Sequence, residues 1–174
     1  NGYADYMAKE IDEQPEAAAR VLDELADGIA NGAIWEQLNL PPFERLRVIG
    51  CGTSLNAGNV LANLARRLGW IPTTTVAGSE AAKEVPDTAQ LVVAMSQSGE
   101  TADVLRGVES CAVGSSPVLA LTNNPQSTLA RLADAVIGSS AGPEIGVAAT
   151  KTFICQIISA AALIAYGMVP LALG

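Results

Sequence analysis

Histidine is absent from all 174 residues. Its absence excludes Ser-His-Asp and Cys-His catalysis, the common zinc sites and the easiest general base near neutral pH. Cysteine is scarce: Cys51, Cys111 and Cys155 are odd in number and lack metal-ligand spacing. They fit scattered, mostly buried thiols in a reducing, cytoplasmic setting, and neither a metal nor a cofactor is expected. Positive charge is scarce too, with 10 Lys and Arg against 18 Asp and Glu and a net charge of -8. Without a basic stripe to neutralise phosphates, nucleic acid is excluded as a partner. Charged residues total only 16% and hydrophobic residues 49%, which excludes disorder and indicates a well-buried sheet. A small phosphorylated ligand is still allowed, because distant charges are screened beyond roughly 8–10 Å. Its site must then supply its own local positive potential.

One long run, 153–174, carries no charge. Gln156, Ser159, Gly167 and Pro170 interrupt it and no basic or aromatic anchor follows. It reads as a helix buried against a sheet or a neighbouring domain, and no membrane partner is expected. No signal peptide opens the chain, and a start at Asn1 in place of Met is what a piece of a longer protein would show.

The segment "YADYMAKEIDEQPEAAARVLDELADG" is helical in pattern, with Pro15 opening a second helix in its first turn. Ala17, Val21, Leu22 and Leu25 recur at helical spacing, and Gly28 is a plausible stop. The stretch "NLPPFERL" is a connection, since Pro41 and Pro42 bar helix. Residues 1–44 are therefore expected to form a helical segment and connection, and 45–174 the main domain. From Arg45 the pattern alternates. Strands are predicted at 45–50, 71–78, 90–96, 117–122 and 134–139, with helices after each and a long apolar helix from about Thr150. Near-continuous apolar strands separated by short helices predict an α/β fold, a five-stranded parallel sheet covered on both faces. Short crossovers favour the flavodoxin-like order, with ligands at the carboxyl ends of the strands.

Three polar loops fall at that edge. "GCGTSLNAG", 50–58, follows the first strand, and Thr53 or Ser54 is placed to cap the next helix. It is not a dinucleotide fingerprint, because Leu55 stands where the third glycine is required. "SQSGET", 96–101, ends the most apolar strand with hydroxyls and no cation. Two readings compete there. Ser98 and Thr101 could simply cap the following helix; or Ser96, Gln97, Ser98 and Thr101 could surround an anion drawn by the helix amides, which carry roughly half a positive charge. One capping residue suffices for the first reading and four donors converge, so the anion site is favoured. The third loop is "AGPEIGVAATKTF", 141–153. Glu144 could serve as acid or base, but a lone loop carboxylate is more often structural. Lys151 reads as a solvated helix residue, since a cation in the first turn opposes the dipole unless an anion lies nearby. Cys51 reads as a packing residue, with no histidine to activate it.

In this order "GCGTS" (50–54), "SQSGETADVL" (96–105) and "EIGVAATKTF" (144–153) resemble the sugar isomerase (SIS) family. The likeness is closest to the first of the two SIS halves of the glucosamine-6-phosphate synthases, and "YMAKEIDEQP" (6–15) resembles the segment that precedes that half. The resemblance implies that Ser96, Gln97, Ser98 and Thr101 hold the phosphate of fructose 6-phosphate, with Ser54 completing the cradle. Cys51, Gly52 and Thr53 would line the sugar end and Val147 would contact the sugar through its backbone. The family usually has serine where this chain has Ala149, so one hydroxyl contact to the sugar is expected to be missing. The family's catalytic Glu, ring-opening His and Schiff-base Lys belong to the second half and the tail, so no catalytic residue is expected here. The implied function is the phosphosugar-binding half of an isomerising aminotransferase, pairing with a second half or a second copy. A sugar-phosphate sensor, or another SIS ketose–aldose isomerase or deglycase, are the alternatives.

Overall fold

The computed structural model describes residues 2–165 apart from 32, 85, 86, 88, 147 and 148. In chain order it contains helices α1 (Tyr6–Asp12), α2 (Gln14–Ala30) and α3 (Ile34–Leu38). Strand β1 (Arg45–Gly50) follows, then α4 (Gly52–Leu68), β2 (Thr73–Ala77), α5 (Gly78–Ala81), β3 (Gln90–Ser96) and α6 (Ala102–Val113). The described chain closes with β4 (Val118–Thr122), α7 (Thr128–Leu132), β5 (Ala135–Gly138) and α8 (Lys151–Ala165). All strand pairs are parallel and the order is β2-β1-β3-β4-β5, as the short crossovers predict. Strands β1 and β3 span the residues the apolar pattern marks.

The pleat sorts the apolar residues to two cores. Leu91, Val93 and Met95 of β3 face one side, where Ala57, Leu61 and Ala65 of α4 and Ala160 and Leu163 of α8 meet them. Val92 and Ala94 face the other, against Val104, Val108 and Cys111 of α6, Ala81 of α5 and Leu129 of α7. A strand buried on both faces needs apolar residues at every position, which is why β3 reads as an unbroken run. Because α4 and α6 lie on opposite faces, a crevice opens between the carboxyl ends of β1 and β3.

The amino-terminal helices differ from expectation in detail. Asp5 caps α1 by accepting the Ala8 N–H at 2.8 Å, and Pro15 lies in the first turn of α2. Gly28 does not end α2. The helix continues to Ala30, because Gly28 is a contact point: a Cβ there would lie 3.4 Å from the Ile34 Cβ. Leu22, assigned to the apolar stripe, is 50% exposed, whereas Ala17 and Val21 are buried against Ala141 and Cys155. Helix α3 is an element the pattern did not mark. Its Ile34 and Trp35 join Phe43 in the larger core, and the Trp35 indole N–H donates to the Leu163 carbonyl at 2.9 Å. Among the described residues no helix is long and apolar enough to cross a membrane. Helix α8 packs on α2 and α4, and residues 166–174 of the uncharged run lie outside the described part.

Candidate functional site

The crevice at the β1/β3 switch is a cleft of about 370 Å³. The turn after β1 contributes Cys51, Gly52, Thr53 and Ser54, and the end of β3 with its loop contributes Met95, Ser96, Gln97, Ser98 and Thr101. Ala149 reaches it from the third loop. Nine of the ten sequence-predicted residues are thus brought together, and Val147 lies outside the described residues. Met95 is the addition. Its place one residue before the strand end was the available signal, and its apolar side chain hid it.

Both helices that begin at the cleft start without a side-chain cap. Gly52 adopts a φ of +54°, so the chain turns directly out of β1 and α4 begins at residue 52 with Cys51 as N-cap. Thr53 and Ser54 therefore lie inside the first turn and do not cap it, contrary to expectation. Helix α6 has Thr101 as N-cap, again with no side-chain bond to its amides. Ser98 does not cap it either, because its Oγ accepts the Glu100 N–H at 3.2 Å, ahead of the helix. Two sets of first-turn N–H groups and two helix dipoles are left at one cleft.

The hydroxyls shape that positive end. Ser96 Oγ accepts the Gly99 N–H at 3.1 Å and lies 3.1 Å from Thr101 Oγ1. A serine hydroxyl has one donor and two acceptor positions. The loop amides occupy acceptor positions on Ser96 and Ser98, and the Ser98 O–H remains free to donate. One O–H of the Ser96–Thr101 pair and the Gln97 amide add further donors. The loop is held from behind. Gly99 O accepts the Leu129 N–H at 3.0 Å and Glu100 Oε1 accepts the Thr128 N–H at 2.8 Å. The Thr128 amide, with the Thr128 side chain second, keeps the Glu100 carboxyl below its ordinary pKa. Glu100 is thus spent on α7.

Among the described residues, no side chain lining the cleft is Asp, Glu, Lys, Arg or Tyr, and Cys51 is its one thiol. Cys51 packs toward α5, its Sγ 2.9 Å from where a Gly78 Cβ would stand. Cys111 and Cys155 are buried. Burial pushes both thiols up, Cys155 to about 11, so they are poor nucleophiles.

The third loop is organised by carboxylates. Glu144 Oε1 accepts the N–H groups of Thr150 at 2.7 Å and Lys151 at 3.0 Å, so this acid is the cap of α8. Its structural reading holds. Lys151 departs from expectation: it is 3% exposed and its Nζ lies 2.5 Å from Glu13 Oε2. The α1–α2 junction crosses the start of α8 and supplies the anion that offsets the unfavourable dipole. Glu10, 3% exposed, accepts the N–H of Ile145 at 2.5 Å and of Gly146 at 3.1 Å. Nothing in the local sequence pairs Glu10 or Glu13 with residues more than 130 positions away.

Comparison with known proteins agrees with this architecture. The SIS domain family matches residues 42–166. A glutamine–fructose-6-phosphate aminotransferase (isomerising) of Halobacterium salinarum is 40% identical over 171 residues, covering 94% of this chain and 28% of the relative. The corresponding protein of Sulfurisphaera tokodaii is 42% identical over 160 residues, covering 91% and 26%. The solved C-terminal domain of glucosamine-fructose-6-phosphate aminotransferase from Francisella tularensis superposes with a TM-score of 0.81 at 32% identity, over 94% of this chain and 49% of that one. The chain spans little more than a quarter of the length of these curated relatives. The family match takes in all five strands and every described residue of the cleft, and the chain belongs to the SIS domain family.

Proposed function

We propose that this chain is the phosphosugar-binding half of an isomerising aminotransferase, with fructose 6-phosphate as ligand. The observation that carries the reading is the pairing of two uncapped helix amino termini with a cluster of hydroxyl donors in one cleft. That arrangement suits a phosphate without any cation, which matters in a protein of net charge -8. In this reading Ser96, Gln97, Ser98 and Thr101 hold the phosphate with Ser54, and Cys51, Gly52, Thr53, Val147 and Ala149 border the sugar. The names of the relatives support the substrate.

The reaction of such an aminotransferase joins ammonia to the sugar carbonyl and moves a proton between C1 and C2. Among the described residues the lining has no carboxylate, amine or imidazole to carry that proton. This half would contribute by anchoring and orienting the substrate, a part of catalysis in its own right. The same feature favours a second reading, a sugar-phosphate sensor. The two part on the full reading frame, since only the enzyme converts fructose 6-phosphate and ammonia.

The direct test is calorimetric titration of the chain and of Ser98→Ala with fructose 6-phosphate, with fructose as control. Binding of the phosphorylated sugar alone is expected, with a loss of about 1.5–3 kcal/mol in Ser98→Ala for one donor to a charged group. Equal affinity in parent and variant would remove the phosphate assignment.

A further inference from the structure

We propose that Glu10 is a positioning residue for the sugar end of the cleft: from α1 it fixes the loop that carries Ala149 into the lining. The inference rests on the phosphosugar reading above. Burying a carboxylate is costly unless it is bonded, and Glu10 is 3% exposed with both oxygens engaged by loop N–H groups. Hydrogen bonds to an ionised acceptor are the strong kind.

Among the described residues, Glu10 is the group that bonds the loop at residues 145 and 146. Ile145 is 64% exposed, so its own side chain supplies no apolar anchor beside the bonds from Glu10. Further along, Glu144 ties Thr150 and Lys151, and Glu13 ties the Lys151 ammonium. Ala149 is therefore carried between one fastening at residues 145–146 and another at 150–151, and both draw on acids, two of which, Glu10 and Glu13, come from the segment before β1. The opposite end of the cleft meets the third loop only at its start, through Asn123, which donates its N–H to Gln97 O at 3.1 Å and its side-chain amide to Gly142 O at 2.7 Å. The phosphate-end loop bonds to Thr128 and Leu129 at α7, and among the described residues it makes no bond to α1. A change at Glu10 should therefore alter recognition of the sugar and leave recognition of phosphate intact, a separation that a general loss of structure would not produce.

The test is a titration, followed by amide chemical shifts, of the parent chain, Glu10→Ala, Glu10→Gln and Ser98→Ala with fructose 6-phosphate and, separately, inorganic phosphate. In Glu10→Ala the Kd for fructose 6-phosphate is expected to rise about tenfold, with that for phosphate within about twofold, for the loss of charge-assisted bonds. Glu10→Gln keeps an acceptor oxygen for both N–H groups and is expected within about threefold of the parent. An unchanged ratio of the two affinities in Glu10→Ala, whether both hold or both fall, overturns the inference. If Glu10→Ala does not fold, Glu10→Asp, charged but too short to reach, takes its place with the same two outcomes. Ser98-dependent binding that ignores Glu10 overturns this inference alone, whereas a parent that binds neither ligand overturns the phosphosugar reading and this inference with it.

Discussion

Glu13 stands between two ammonium groups, 2.5 Å from Lys151 and 2.7 Å from Lys9. The Lys151 hydrogen bond, with Lys9 second, lowers its pKa from 4.5 to about 2. A carboxylate whose folded pKa is depressed adds stability above its unfolded value and loses that contribution as pH falls through the folded one. The pair therefore contributes fully above about pH 4.5 and has nothing left below about pH 2. Thermal unfolding across that interval is expected to show a falling midpoint in the parent and a shallower fall in Glu13→Gln. Near neutral pH the variant should melt lower, since it strands a buried ammonium. Superimposable melting curves would remove the pair from the account of stability.

At the scale of elements, the loop from β3 to α6 is moulded against α7. Gly99 has a φ of +68°, and a Cβ there would lie 2.1 Å from Ser127 Oγ and 2.4 Å from Ser127 Cβ. Ser127 cannot yield freely, because its Oγ caps α7 by accepting the Ala130 N–H. Gly99→Ala is expected to cost about 3 kcal/mol, combining backbone strain with overpacking. Gly138→Ala, where the new methyl would meet only Ser140 Oγ at 3.7 Å, should stay within about 0.5 kcal/mol. Urea denaturation of the two variants measures the contrast. Equal, small effects would mean that α7 does not brace the loop.

Across the whole molecule, the helices before β1 are built into the main core. Trp35 packs on Phe43 with ring centroids 5.7 Å apart and is tied to α8 through Leu163. Unfolding is expected to be one cooperative event. The only other tryptophan, Trp70, is 85% exposed, so Trp70→Phe leaves Trp35 as the reporter of the amino-terminal packing. In that background Trp35 fluorescence and backbone circular dichroism should give the same urea midpoint. Separate midpoints would show that residues before β1 unfold on their own. The same packing explains how acids on the first helices come to serve a loop at the far end of the chain.

Local pattern determined the sheet and the hydroxyl-rich side of the cleft. An unbroken apolar run identifies a strand buried on both faces, and "QLVVAMS" did so to the residue. Short crossovers then limit the strand order, and a strand end that turns polar pointed to Ser96–Thr101 as a cleft loop, whereas Cys51 to Ser54, read locally as packing and capping residues, were placed there by the family resemblance. Other features had no local signal. Helix α3 is too short to show a helical period, and Gly28 reads as a stop because only the arrival of Ile34 explains the missing side chain. The burial of Lys151 and the bonds of Glu10 depend on partners 138 and 135 positions away. Spacing along the chain encodes neighbours within a strand or a turn. Which acid meets which amide across the molecule was decided only when the helices closed over the sheet.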